Sequence, residues 1–183
     1  MSVGRARSAV RVLTIAGMLV ALLGACAGGG TSVPPPSVAV SPAASASASM
    51  TATASQIGAS LRAAGLLSAV ASVPYRPAES PTLTTAPRLV LKADLLGDDR
   101  QGFVVIYDFP DAGRAYAAGA EMADYIASGP GRVQFPNNAR FVMRQVGSTL
   151  VFYTWTDSDA PEPDAGTVAA TLAGLGVEIP IAR

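Results

Sequence analysis

Residues 141–156 read Phe-Val-Met-Arg-Gln-Val-Gly-Ser-Thr-Leu-Val-Phe-Tyr-Thr-Trp-Thr. Two runs rich in β-branched and aromatic residues flank a Gly-Ser pair, and glycine at the first of two turn positions reaches the positive φ that a tight hairpin needs. With Gly147-Ser148 as the turn, Val146 faces Thr149, Arg144 faces Val151, Val142 faces Tyr153 and Arg140 faces Trp155. Side chains alternate along a strand, so these residues share one face. Phe141, Met143, Leu150 and Phe152 share the other, which is the expected core side.

Working outward, residues 88–95 alternate with period two: Leu89, Leu91, Ala93 and Leu95 point one way, and Arg88, Val90, Lys92 and Asp94 the other. The run Gly97-Asp98-Asp99-Arg100-Gln101-Gly102 supplies a turn, and residues 103–109 return as a strand apolar on both faces, as suits the middle of a sheet. Asp111 suits the N-cap of a helix over 112–128, with Ala115, Gly119, Met122 and Ile126 as its buried stripe beside Tyr116, Ala120 and Ala123. Gly129-Pro130 ends it. A first helix is read over 55–72, with Ile57, Leu61 and Ala64 on one face and Pro74 as its stop. A last helix is read over 165–174, and the tail 177–181 is placed as an added edge strand. The order α-β-β-α-β-β-α predicts an α+β domain, a four-stranded antiparallel sheet with helices on one face. Pro-Asp-Ala-Gly occurs at 110–113 and again at 163–166. Either a ββα unit is duplicated, or the two copies share only a favoured capping sequence.

Composition narrows the chemistry. The 183 residues hold thirteen basic and thirteen acidic side chains, no histidine and one cysteine. Without histidine there is no Ser-His-Asp or Cys-His machinery and no imidazole metal site. One cysteine makes neither an internal disulfide nor a thiolate zinc cluster. The sole lysine, Lys92, lies among charged neighbours on a strand, with no serine placed beside it as a nucleophile. No cofactor is expected.

The first eleven residues hold Arg5, Arg7 and Arg11 and no acid, and an apolar run over 12–23 follows, the layout of an export signal. That run is shorter than the roughly 20 residues a transmembrane helix needs. Next come Leu23-Gly24-Ala25-Cys26, which resemble the lipobox of bacterial lipoproteins: an aliphatic residue, two small ones, then cysteine. Small residues leave the peptidase access to the bond, and the thiol is the nucleophile that becomes a thioether. The resemblance implies cleavage before Cys26, acylation of Cys26 with chains such as palmitate, and a chain exported and held on the bacterial cell membrane or outer membrane through its N-terminal lipid. Removing the segment 1–25 takes away three positive charges and leaves a net charge of about −3. A weakly acidic domain with scattered arginines offers no footprint for nucleic acid. Residues 26–54 are rich in Ala, Ser, Thr, Pro and Gly, without charge or aromatic ring, and read as a disordered tether. All eleven aromatic residues lie at Tyr75 or later, so 55–183 is expected to form a single domain.

Within that domain, Leu61 to Gly65 (Leu-Arg-Ala-Ala-Gly), Tyr107-Asp108-Phe109 before an alanine-rich helix, and the Gly147 hairpin together resemble a loose group of small exported bacterial lipoproteins. The likeness implies an α+β domain and carries no catalytic residues. Two candidate sites remain. Arg140, Arg144, Tyr153 and Trp155 form an aromatic and arginine surface if helices cover only the opposite face, a composition enriched at binding hot spots. The expected function is therefore a non-catalytic envelope module that binds a protein or small ligand there. The alternative is a small tethered enzyme or calcium-dependent module using Asp157, Asp159, Glu162 and Asp164. Those four depart from the twelve-residue calcium loop, with Pro161 at its fifth position and no glycine at its sixth.

Overall fold

The hairpin forms in the register its turn dictates. Strands Ala139–Val146 and Thr149–Thr156 pair antiparallel, with Val146 opposite Thr149 and Arg140 opposite Trp155. Gly147 takes a φ of +59° at the turn. Around it, the computed structural model describes residues 46–182. The export signal, Cys26 and the tether up to residue 45 lie outside the described residues. In chain order the elements are α1 (Ala48–Ala63), β1 (Ser68–Val70), α2 (Pro81–Thr85), β2 (Arg88–Ala93), β3 (Phe103–Asp108), α3 (Ala112–Ala127), α4 (Gly129–Arg132), β4, β5, α5 (Ala165–Ala173) and β6 (Val177–Glu178). Among the described residues no helix is long and apolar enough to cross a membrane.

The domain is α+β with an open antiparallel sheet, but the sheet has six strands rather than four, in the order β1-β2-β3-β5-β4-β6. The four expected strands make its centre, and β1 and β6 are short additions at the two edges. Helices also cover both faces, not one. Along β3, Val104 and Ile106 join a core beneath α1 and α5, while Val105 and Tyr107 join a second core beneath α3. All four are fully buried, which a central strand of a three-layer domain requires. Each such aliphatic side chain contributes roughly 1.5–3 kcal/mol by leaving water.

The first helix departs most from its sequence reading. It starts at Ala48, inside the stretch assigned to the tether, and ends at Ala63. Ser47 caps it by accepting from the Met50 N–H at 3.1 Å. Met50, Thr53, Ile57 and Leu61 then bury one face. At its end Gly65, at φ +83°, reverses the chain: its N–H donates to the Arg62 carbonyl and the Leu66 N–H to that of Leu61. That pair of bonds is a Schellman stop, completed by contact between Leu61 and Leu66 in one core. Residues expected to prolong the helix become β1 instead.

Asp111 and Asp164 cap α3 and α5, accepting from the N–H groups of Arg114 at 2.8 Å and Thr167 at 3.0 Å. The stripe of α3 buries Ala115, Gly119, Met122 and Ile126 as expected, whereas Tyr116 points to solvent. A Cβ on Gly119 would overlap Ile179 and approach Leu150 at 2.9 Å, so this glycine sets how closely α3 rests on the sheet. The two Pro-Asp-Ala-Gly copies start helices on opposite faces. A twofold axis relating the antiparallel neighbours β3 and β5 keeps each face in place, so the copies share local grammar and not a symmetric arrangement. Three residues link β3 to α3 while eight link β5 to α5, and the longer link carries the chain around to the other side.

The chain enters beside the hairpin end of the sheet. Ser49 Oγ donates to Asp108 at 2.7 Å, and the Thr53 and Thr149 hydroxyls are bonded at 2.9 Å. The opposite end carries the β2–β3 turn, the start of β4 and the end of β5.

Candidate functional site

The surface expected from Arg140, Arg144, Tyr153 and Trp155 is rearranged by α5. Helix α5 starts over Tyr153, whose hydroxyl donates to the Ala165 carbonyl at 3.2 Å, and Tyr153 is fully buried. It stacks on the half-buried Trp155 with ring centroids 5.3 Å apart. Burial holds the Tyr153 hydroxyl well above its ordinary pKa. Tyr153 is therefore core, and the flat open face expected around it does not form. Arg144 is drawn under the C-terminal segment: its Nε donates to the Leu175 carbonyl at 2.6 Å and its Nη1 meets Glu178 at 3.3 Å. Arg140 stays exposed and pairs with Asp157 at 2.6 Å rather than stacking on Trp155.

Arg140, Arg144 and Trp155 nevertheless meet again along one side of an open groove of about 1040 Å³. The groove wraps the free edge of β4 at the end of the sheet away from Ser47. Its other wall comes from the opposite face of the sheet, with Ile126, Phe141, Met143 and Ile179. It exists because β6 is only two residues long: β6 pairs with Arg144 and Gln145, the Ile179 N–H reaches the Met143 carbonyl at 3.1 Å, and the ladder stops there. Peptide groups alternate in direction along a strand. Since Met143 addresses β6, Phe141 two residues back also turns its N–H and C=O outward, into the groove. The Phe141 ring is held edge-on by Phe135 at 5.0 Å and capped by the Arg132 guanidinium at 5.8 Å. Arg140 and Arg144 each face a carboxylate across the groove, and Arg132 has none in ion-pair contact among the described residues.

The acidic loop is dispersed. Asp157 serves Arg140, while Glu162 and Asp164 both serve the start of α5, where Asp164 caps the helix and the Thr167 hydroxyl donates to Glu162. Asp159 is exposed and makes no ion pair among the described residues. No group of three or more His, Cys, Asp or Glu side chains stands close enough to hold a metal ion among the described residues. Lys92 lies over the Phe103 ring at 4.8 Å and donates to the Gln101 carbonyl. Burial lowers its pKa against the opposing pull of Asp99, Asp98 and Asp94.

Sequence reasoning missed the most concentrated polar cluster. The Glu79 side chain is 1% exposed. It accepts from Arg76 Nε at 2.6 Å, from Arg88 Nη1 at 2.8 Å and from the Tyr107 hydroxyl at 2.7 Å. Burial, and then the bond to Glu79, hold the Tyr107 hydroxyl well above its ordinary pKa, so it remains a donor. Arg76 also donates to the Thr84 carbonyl at 2.7 Å. The knot fastens the strap between β1 and β2 over β3, where Tyr75 stacks on Phe103 at 4.4 Å. Each oxygen of the buried carboxylate is satisfied, so its role is to position that strap.

Compared with protein-family models, with curated proteins and with solved structures, the chain has no match in any of the three.

Proposed function

We propose that this protein is a membrane-anchored bacterial lipoprotein whose folded domain binds an envelope protein through the groove at the free edge of β4. The groove carries the reading: it gathers an indole, an arginine without a carboxylate partner in contact, and an unpaired peptide group of Phe141 in one concave site. Tryptophan and arginine anchor protein interfaces well because each supplies a large contact area with directional polar atoms. An outward peptide group suits an extended polypeptide segment, which adds to a sheet edge through main-chain hydrogen bonds. This favours a protein partner over a small ligand. The anchoring half rests on Leu23-Gly24-Ala25-Cys26. The described chain enters the domain at Ser47, at the hairpin end, and the groove opens at the other end of the sheet.

The test uses the full chain in its own envelope. Wild type, the Arg140→Ala, Trp155→Ala double variant and Phe141→Pro are cross-linked in intact cells, and their adducts are compared after purification. Proline at 141 removes the outward N–H and leaves the β5 ladder its donors. Loss of the same adduct in both variants, with the fold retained by circular dichroism at the temperature of cross-linking and a lowered melting temperature from the lost ring contacts, is expected; identical adducts in all three chains would remove the groove from the reading. For the anchor, incorporation of a palmitate analogue is expected in the wild type and not in Cys26→Ser.

A further inference from the structure

We infer that the outer edge of β1 is a pairing edge for β1 of a second copy of this chain. Beyond β1 the sheet has no further strand among the described residues. The Leu67 carbonyl accepts from Asp94 and the Ala71 N–H donates to Val90, so the odd-numbered residues address β2 and the peptide groups of Ser68 and Val70 point outward, unpaired by the sheet. The side chains around them are apolar and in water: Leu67 is 67%, Val70 61% and Val73 57% exposed.

Natural sheets blunt such an edge with lysine, proline or inward charge. The far edge of this sheet does so, with Arg144, Glu178 and Pro180 at β6. The β1 edge does not, since residues 63–75 contain no charged side chain. The occupant must therefore bring an extended, uncharged, apolar strand with free peptide groups. The segment meets that description itself. A twofold contact pairs each residue with another of the same segment, and only the residue on the axis with itself; with no charge between residues 63 and 75, no such pairing sets like charges together. With the twofold axis through Ala69, Ser68 exchanges both hydrogen bonds with Val70 of the second copy, and the two Ala69 residues form the narrow pair, with Cα atoms about 4.5 Å apart.

That spacing lies within disulfide range. In the full chain in cells, Ala69→Cys treated with a mild oxidant is expected to give a covalent dimer at least about tenfold above Val133→Cys, a position remote in sequence and 77% exposed. The unsubstituted chain sets the background from Cys26. Adding Val70→Asp, which places two carboxylates at the contact, or Ser68→Pro, which removes an outward N–H and spares the β2 ladder, is expected to abolish the excess without changing thermal melting. Equal yields at 69 and 133, an excess that survives both second substitutions, or an adduct whose mass is not twice that of the chain would each overturn the inference.

Discussion

Each face of the sheet buries one tyrosine hydroxyl, and the two are satisfied by opposite means. Beneath α3, Tyr107 donates to the carboxylate of Glu79, itself held by two arginines. Beneath α5, Tyr153 donates to a neutral carbonyl, and the same face also buries the hydroxyl pair of Thr53 and Thr149. One face is fastened by charge taken out of water, the other by small neutral groups between closely packed alanine-rich helices. A knot is costly to break where a survivor stays buried without its partner, as the Tyr107 hydroxyl would without Glu79; neutral pairs are cheap to replace.

The sharpest way to break this comparison is Glu79→Ala, which leaves Arg88 and the Tyr107 hydroxyl without their acceptor. A loss of about 3 kcal/mol is expected from the Tyr107 hydroxyl left buried without an acceptor and the lost charged bonds, since Arg76 and Arg88, with side chains 48% and 28% exposed, can turn to water; it is read from the midpoint of denaturant unfolding. A loss below about 1 kcal/mol would mean that the knot lies in water. The hydroxyls themselves come next. Tyr107→Phe removes a bond to a charged group and is expected to cost about 1.5–3 kcal/mol, against about 1 kcal/mol for Tyr153→Phe. Equal costs would erase the distinction between the faces. A further effect appears in alkali. Both hydroxyls are held above their ordinary pKa in the folded state, whereas unfolded tyrosine ionises near pH 10. Above that pH the unfolded chain has lost protons that the folded chain keeps. Stability should therefore fall as pH rises, by about 1.4 kcal/mol per unit for each such tyrosine. The slope measured between pH 10 and 11.5 should become shallower in Tyr107→Phe.

The same contrast explains what the sequence disclosed. The α3 face was legible because Asp111 is an evident cap and Met122 and Ile126 keep helical spacing from Ala115. The hairpin register followed from Gly147 alone. The other face stayed hidden because no residue names the side of the sheet that a helix takes: the helices over 55–72 and 165–174 are legible, but every helix is expected on one face, and the first two turns of α1, Ala-Ser-Met-Thr-Ala-Thr-Ala, pass for tether with Met50 as their only large apolar side chain. With α1 and α5 expected on the side of Phe152, the face of Tyr153 looks open, and Tyr153 is read as a contact surface. The stop at Gly65 carried a local signal, a glycine followed by Leu66 five residues after Leu61, but residues 66–70 are apolar enough to continue a helix. Glu79 carried none. It sits in Pro-Ala-Glu-Ser-Pro, and its partners Arg88 and Tyr107 are 9 and 28 residues away, a distance only the fold closes. The groove was half legible: Arg140, Arg144 and Trp155 were singled out, while the β4 edge that makes it concave depends on where β6 ends.

The place where the chain joins the domain also sets a mechanical property. Ser47 lies at one end of the strands and the groove at the other. Under the proposed anchoring, a load entering at Ser47 would fall first on α1, which is held to the sheet there by the bond from Ser49 to Asp108 and by the hydroxyl pair of Thr53 and Thr149. The docking of this helix, and not the ladder between strands, would then set the force at which the domain opens.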